Sequence, residues 1–568
     1  MEQETVLHIE GTVEQVLYRN EQNGYTVLDL DANGTLITVV GELGDVEEGE
    51  QLSVDGTYVN HIRFGLQFQA QYVERKLPED AINIQRYLSS GVIKGIGSAL
   101  AKKIVTAFGS QTLEIMEKQP TRLMEIRGIS PKKCETIAQE VQKIFALRSL
   151  MLFLQQYNIR SRYAMRAYQC YGSGAKEMIL ANPYLLCGMG IELPFEKAEI
   201  LADDLKVPKN AEQRILAGTC YILEHNTHNG YTCLPLDRLQ PKVCEYLQVS
   251  ESEFLSAYQA AQKEGNLVSY QKDAREFVYL PAYYEAEQYI ADRIGVLRDF
   301  SAPEDQEIYL DLIKREETEQ GIQYAELQRK AILSALSRGL LILTGGPGTG
   351  KTTTLNGMIS LFEKQGYQVM LAAPTGRAAQ RISDLTGYEA KTIHRLLEVE
   401  FDMAGATKFR HNESNPLTCD VMIVDEMSMV DVLLFESLLR ALRFSCKLIM
   451  VGDSDQLPSV GAGNVLKDLI DSGQVPVVAL NQIFRQAQQS CIVTNAHKII
   501  TGNYPDLQQK QSDFFFFQRL KTEDATQLIL DLVKTRLPNA YHYHPMDDIQ
   551  VITPSRKGLL GVIELNRR

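Results

Sequence analysis

Along this chain the spacing of apolar residues changes character several times. Up to about residue 78, short runs rich in valine, isoleucine, leucine and tyrosine recur: VEQVLYRN from Val13, YTVLDLD from Tyr25, LITVVGEL from Leu36 and QLSVDGTYV from Gln51. Asn-Gly and Gly-Asp pairs bound them, which predicts strands joined by tight turns and a small β-barrel over residues 1–78. Near Pro78 the period lengthens to that of helices. Residues 79–205 read as helical hairpins and 206–318 as a mainly helical domain, with amphipathic stretches such as ESEFLSAYQAAQKEG and no recognisable chemistry. The acidic segment SAPEDQEIYLDLIKREETEQG predicts a solvated helix leading into the next unit. From Leu340 the pattern becomes strand, loop and helix in repetition. The runs LLIL, VMLAA, VMIV, KLIMV and PVVAL alternate with helical segments, which predicts an α/β unit over residues 319–480: a parallel sheet with helices on both faces.

Length and composition set bounds on this picture. At about 100–200 residues per domain, 568 residues call for several domains. Hydrophobic content of 44% and charged content of 23% describe an ordinary globular chain. No apolar run approaches the roughly 18 residues that cross a bilayer, and MEQETVLHIEG has neither the basic nor the apolar part of a secretory signal. Nine cysteines are scattered without a CxxC pair, which argues against a zinc site or a disulfide framework and fits a reducing cytoplasm. The net charge of −14 is unlike that of a pure nucleic-acid coat, which would be basic, but an acidic enzyme can hold a polyanion in a locally basic groove, so charge alone decides nothing.

Two segments of the helical region share a pattern. GVIKGIGSALAKKIVTAFG places Gly95 and Gly97 between two short helices, and LMEIRGISPKKCETIAQEV repeats the arrangement around Gly128. Glycines permit a tight hairpin whose N–H groups face outward at a helix N-terminus, where a DNA phosphate can sit. Lys94, Lys102 and Lys103 add positive charge. In the second copy Ser130 is a natural N-cap and Pro131 suits the first helical position. These spacings predict tandem helix-hairpin-helix motifs that hold a nucleic-acid backbone without reading sequence. A third stretch, NIRSRYAMRAYQCYG, lacks the hairpin glycine and reads as structural.

The strongest chemical signal is GGPGTGKT, residues 345–352. Gly345, Gly346, Pro347, Gly348, Thr349 and Gly350 follow an apolar strand, and Lys351, Thr352 and Thr353 open a helix. Backbone N–H groups in such a loop wrap phosphates, the lysine reaches the β and γ oxygens, and the Thr352 hydroxyl is offered to Mg²⁺. VMIVDEMS puts Asp425 and Glu426 at the end of a buried strand. Asp425 is the candidate for the Mg²⁺ shell and Glu426 for the base that activates water. Gln328, shortly before the P-loop strand, carries an amide that can both donate to and accept from adenine. On its residue type alone that role stays open.

Further motifs point to a family. APTGRAA from Ala373, KTIHRLL from Lys391, VGDSDQLPSVGAGNVL from Val451 and LNQIFRQA from Leu480 follow in order after Gln328 and the P-loop, with VDEMS between the second and third. In this order they resemble superfamily 1 helicases of the RecD-like branch. The barrel and hairpin tandem extend the resemblance, over nearly the whole chain, to the stand-alone RecD-like ATP-dependent DNA helicases. The resemblance implies two RecA-like domains, a motor over 319–480 and a partial second one over 481–568, that use ATP and Mg²⁺ to move 5′ to 3′ on single-stranded DNA. It implies Gln328 on adenine, Gln456 sensing the γ-phosphate, and Arg485 as an arginine finger, although residue type alone leaves Arg485 open to being a surface arginine. It implies DNA contacts at Pro374, Thr375, Gly376, Arg377, Thr392 and His394, beside Gly95, Gly97, Lys102 and Gly128. FDMAGATKFRHNESNPLT, near residues 400–418, resembles the strand-separating pin, with a plain surface loop as the alternative. Partners would be single-stranded DNA and its junctions with duplex, the chain a monomer, RecBC-type subunits not required, and the setting repair or recombination. Two departures stand out. Pro194 occupies a glycine position in CGMGIELPFEKAEILADDL, and after VITPSRKGLLGVIELNRR the family's late DNA-binding motif and second ATP-contacting arginine are not found. The second domain is expected to be short of strands, with Phe514–Phe517 as one of its core strands. A nucleotide- and DNA-binding module without unwinding activity is therefore the competing reading.

Overall fold

The structure is a computed structural model. It describes residues 7–19, 25–32, 34–43, 46–61, 65–76, 78, 80–90, 93–299, 306–346, 348–401, 407–481, 489–508 and 513–568.

Five strands, β1 (Leu7–Arg19), β2 (Tyr25–Ala32), β3 (Thr35–Glu42), β4 (Gln51–His61) and β5 (Gly65–Lys76), close a barrel in the order β1-β2-β3-β5-β4. The two-residue period sends alternate side chains inward. Thr26, Leu28 and Leu30 of β2 are fully buried and meet Val13, Val39, Val54 and Phe68. The expected small barrel is present, its strands running from Leu7 to Lys76.

Helical hairpins follow. Asp80 caps the helix Ala81–Ser89 by accepting from the N–H groups of Ile82 and Asn83. The next turn holds Gly95 at φ +97°, where a side chain would be strained, and Ile96 points into the core. Gly97 has φ −98° and caps the helix Ser98–Phe108. Its lack of a side chain is not required by the backbone, unlike that of Gly95. The same turn recurs as Gly128-Ile129-Ser130 before the helix Pro131–Gln155, with Gly128 at φ +111° and the Ser130 hydroxyl accepting from Lys133 N–H. It recurs again where no hairpin was expected. Asn158 takes φ +55°, Ile159 is buried and Arg160 precedes the helix Ser161–Tyr171. Asparagine tolerates the left-handed region better than most residues, so the third stretch builds the turn without glycine.

The segment expected to be mainly helical contains a three-stranded antiparallel sheet, β6 (Cys233–Pro235), β8 (Arg275–Tyr279) and β7 (Val268–Lys272). One apolar core runs from Leu150 to Val278 and does not break at residue 205.

The α/β unit is a six-stranded parallel sheet: β9 (Leu340–Thr344), β10 (Val369–Ala373), β11 (Ala390–Thr392), β14 (Val421–Val424), β15 (Lys447–Gly452) and β16 (Val477–Ala479), in the order β11-β10-β14-β15-β9-β16. Every position of β9, β14 and β15 is buried, which is why these strands read as unbroken apolar runs. The helices Glu326–Ser337 and Lys351–Lys364 cover one face through Ile332, Met358 and Phe362. The helices Val432–Ala441 and Pro281–Asp299 cover the other through Phe435, Leu438, Ile290 and Leu297. The acidic helix Gln306–Gln320 is not the solvated element expected. Tyr309 and Ile313 are buried against the sheet unit, and the buried Glu316 and Glu317 pair with Lys364 at 2.5 Å and Arg329 at 2.8 Å. The expected pin is a hairpin of β12 (Val399–Phe401) and β13 (Thr407–Phe409), whose connecting residues lie outside the described residues.

Beyond Ala479 no strand occurs among the described residues. Phe514–Phe517 is irregular, and Phe515, Phe516 and Phe517 are each about half exposed. The core strand expected there is not formed. A strand needs a neighbour to satisfy its N–H and C=O groups, and none adjoins this run among the described residues.

Candidate nucleotide site

Strand β9 delivers the loop Gly345–Gly350 to the carboxyl edge of the sheet. Gly350 caps the helix Lys351–Lys364 at φ +82°, a conformation that favours glycine. Thr349 is buried and its hydroxyl donates to Gly346 O at 2.8 Å. The Lys351 ammonium turns back on the loop, donating to Gly345 O and, at 3.2 Å, to Gly346 O. Burial pushes its pKa down, against the pull of Asp453, Glu426 and Asp425. Pro347 lies outside the described residues.

Strands β14 and β15 bring the carboxylates. Asp425 follows β14, and its N–H donates to Ala372 O at 2.9 Å. Burial pushes the Asp425 carboxyl up. Glu426 sits at φ +51°, uncommon for a residue with a side chain, and burial and then the Asp425 charge push its carboxyl up as well. Asp453, after β15, is 4% exposed and accepts from Asp455 N–H at 3.1 Å. Lys351, Thr352, Asp425, Glu426, Asp453 and Gln456 line one cleft of about 440 Å³.

Sequence reasoning passed over two features of this cleft. Arg381, on the helix Gly376–Thr386, reaches 4.0 Å from Glu426, and its charge acts on that carboxyl more strongly than that of Lys351. Its only sequence signal was its place two residues after APTGRAA. The helix Cys491–Ile500 closes one side through Ala496, Ile499 and Ile500. A methyl group added at Gly346 would lie 3.2 Å from the His497 ring, whose Nε2 is buried without a partner.

Other expected residues stand elsewhere. Gln328 is buried. Its Oε1 accepts from Ala325 N–H at 2.9 Å and its Nε2 donates to Gly350 O at 3.3 Å, so it ties the helix start to the loop rather than lining the cleft. Thr353 is exposed. Pro374, Thr375, Gly376 and Arg377 follow β10, with Thr375 capping the next helix through Ala378 N–H at 3.2 Å. Thr392 caps the helix Ile393–Leu397, and the exposed His394 packs on Phe409 with ring centroids 5.9 Å apart. Gly95, Gly97, Lys102 and Gly128 are all exposed on the hairpins. Arg485 lies outside the described residues.

A phosphate-binding loop, a lysine and a cluster of poorly solvated carboxylates at the carboxyl ends of a parallel sheet define a P-loop nucleotide hydrolase, here joined to a barrel and a hairpin scaffold. Family models match the corresponding parts: an AAA domain over residues 328–462, the OB-fold domain of the ATP-dependent DNA helicase YrrC over 6–78, a SAM-like helix-hairpin-helix tandem over 86–143, and the helix-hairpin-helix domain of ATP-dependent RecD2 DNA helicase over 143–233. The ATP-dependent RecD2 DNA helicase of Deinococcus radiodurans is 29% identical over 581 residues, covering 98% of this chain and 77% of that protein. The RecBCD enzyme subunit RecD of Mycolicibacterium smegmatis is 44% identical over 169 residues, 26% of this chain and 30% of that one. The crystal structure of Pif1 helicase from Candida albicans, 23% identical, overlaps 37% of this chain and 55% of that chain with a TM-score of 0.26, too slight a likeness to bear on the fold. The chain is homologous over nearly its whole length to the RecD2 type of ATP-dependent DNA helicase, and its barrel and hairpin regions match that type's OB-fold and helix-hairpin-helix models.

Proposed function

We propose that this chain uses ATP hydrolysis to move 5′ to 3′ along single-stranded DNA and to part duplex at single-strand junctions, in DNA repair or recombination, as a cytoplasmic monomer without RecBC-type subunits. The observation that carries the reading is the gathering of Lys351, Asp425, Glu426, Asp453 and Gln456 on one cleft beside the P-loop.

The residues fit Mg²⁺ and a nucleotide. Asp425 and Thr352 would hold the ion, with phosphate oxygens and water completing its shell, since no cluster of three protein ligands is present among the described residues. When bound, Mg²⁺ supplies positive charge to the phosphate oxygens. Lys351 exchanges its loop carbonyls for phosphate oxygens, which are better acceptors for an ammonium. Glu426, its carboxylate poorly solvated, takes the proton of the attacking water, and Arg381 steadies its charge. Gln456, in the loop after Asp453, answers to the γ-phosphate, and Arg485 brings the second cation. Gln328 reaches adenine only by giving up its bonds to Ala325 and Gly350.

DNA is gripped by backbone contacts. The exposed turns at Gly95, Gly97 and Gly128, with Lys102, present N–H groups and charge to phosphates. Pro374, Thr375, Gly376, Arg377, Thr392 and His394 form a second track at the strand ends. The barrel is an unsuitable grip, because residues 1–78 carry fourteen acidic and four basic side chains.

The test is steady-state ATPase of the 568-residue chain with and without single-stranded DNA, beside Lys351→Ala, followed by unwinding of partial duplexes with a 5′ or a 3′ tail. DNA-stimulated turnover lost in the variant, with unwinding from the 5′ tail only, is expected. Turnover indifferent to DNA would favour the binding-module reading, to which the Phe514–Phe517 run, without a strand partner among the described residues, also points. Unwinding from the 3′ tail would overturn the polarity.

A further inference from the structure

A second cavity, of about 610 Å³, opens between the helix Pro281–Asp299 and the segment that precedes β15. It sits at the amino ends of β14 and β15, the opposite end of the sheet from the P-loop, Pro374 and Thr392. Arg293 reaches it from the helix and is 4% exposed. Its Nη2 donates to Leu442 O at 2.8 Å, but its Nε and Nη1 are buried with no acceptor. The guanidinium lies 4.0 Å from the ring centroid of Phe444, which is itself 72% exposed. Two other arginines line the space and are engaged. Arg440 pairs with Glu413 and Glu436, and Arg443 donates to Cys419 O at 2.9 Å.

We propose that this cavity is a docking site for an acidic segment of a partner protein, whose carboxylate is taken by the unused donors of Arg293. A buried cation with unmet donors is costly, and a carboxylate is the ligand that relieves it. Arg293 remains charged, because arginine does not give up its proton in proteins. Val296, Pro416, Leu442 and Phe444 give the walls an apolar character, which suits a segment carrying an aromatic or aliphatic side chain beside its acid. Nucleic acid is the less suitable occupant. The unmet donors of Arg293 can take one carboxylate, whereas the rim carboxylates Asp292 and Glu413 repel a run of successive phosphates, and the cavity faces away from the strand ends where the DNA track is placed. Phe444, exposed and packed on Arg293, is the wall that the segment's apolar side chain meets.

The experiment uses the full chain and a fluorescein-labelled peptide carrying one aspartate beside a phenylalanine, with an asparagine counterpart, read by fluorescence anisotropy. The aspartate peptide is expected to bind and the asparagine peptide to bind at least about tenfold more weakly, the scale of one lost charge-assisted hydrogen bond. Arg293→Met and Phe444→Ala should each weaken the aspartate peptide by a similar factor. Arg293 also holds Leu442, so its variant could unfold; Phe444, being exposed, can be removed without that risk, and its melting temperature should match that of the parent. Oligothymidylate should not displace the peptide. Equal binding of the two peptides, no binding up to millimolar concentration, indifference to Phe444→Ala, or displacement by oligothymidylate would each overturn the proposal.

Discussion

Glu426→Gln separates a catalytic carboxylate from one that merely completes an ion pair. The substitution keeps the volume and one acceptor oxygen but cannot take a proton. Two effects of different size follow. The partner of Glu426 is Arg381, 4.0 Å away, with the arginine side chain 75% exposed. Two unit charges at that distance interact by about 1 kcal/mol in water and about 4 kcal/mol at an effective dielectric of 20. Exposure of the arginine places this pair at the lower end, so losing it costs at most about 1 kcal/mol. A general base, by contrast, contributes about 10²- to 10⁴-fold, or about 2.7–5.5 kcal/mol of barrier. The expected result is a kcat lower by two to four orders of magnitude with ATP affinity nearly unchanged. Stability should move the other way. Burial and the Asp425 charge hold the Glu426 carboxyl above its ordinary range, so the fold prefers the protonated form. Above that range the ionised carboxylate weighs against the native state, and near and below pH 4.5 the penalty disappears. The amide variant should therefore melt no lower than the parent at pH 7.5, any gain shrinking as pH falls. Single-turnover ATPase, a nucleotide titration and melting curves at several pH values read all three. A loss of turnover under tenfold, or a melting temperature clearly lower at pH 7.5, would refute the assignment of Glu426 as base.

Arg381→Met should raise KM for ATP several-fold with melting unchanged, since the exposed guanidinium faces the cleft and contributes little to the fold; an unaltered KM would remove Arg381 from the site. Lys102→Ala should weaken binding to every DNA sequence alike and lower the slope of log affinity against log salt by about one, measured by titration at several salt concentrations. The buried Glu316 and its partner Lys364 should respond unequally. Lys364→Ala leaves a carboxylate that is 1% exposed with Gln320 as its remaining donor and should cost about 2–3 kcal/mol in urea unfolding, whereas Glu316→Gln leaves a lysine that keeps Glu319 and reaches water and should cost about 1.

Where the sequence was readable, a local rule and the tertiary structure agreed. The unbroken apolar runs of β9, β14 and β15 could be read because a parallel strand covered on both faces has no polar side to display. The P-loop could be read because its glycines answer to backbone geometry, as φ +82° at Gly350 requires. Reading failed where a neighbour decided the outcome. β11 is three residues long with Lys391 at its centre, and only its pairing with β10 makes it a strand. The acidic helix Gln306–Gln320 looked solvated because Glu316 and Glu317 count as surface until Lys364 and Arg329 are seen beside them. Asn158 formed a hairpin turn by adopting a conformation that glycine would have advertised. Phe514–Phe517 failed in the opposite direction: four consecutive aromatic residues announce a strand, but hydrophobicity supplies no partner for the backbone. The same distinction runs through the nucleotide site. Lys351, Asp425 and Glu426 could be named from their motifs, since each motif sits at a strand end whose position the fold dictates. Arg381 could not, because what makes it part of the site is the direction its helix takes across the cleft, a property of packing rather than of any spacing in the chain.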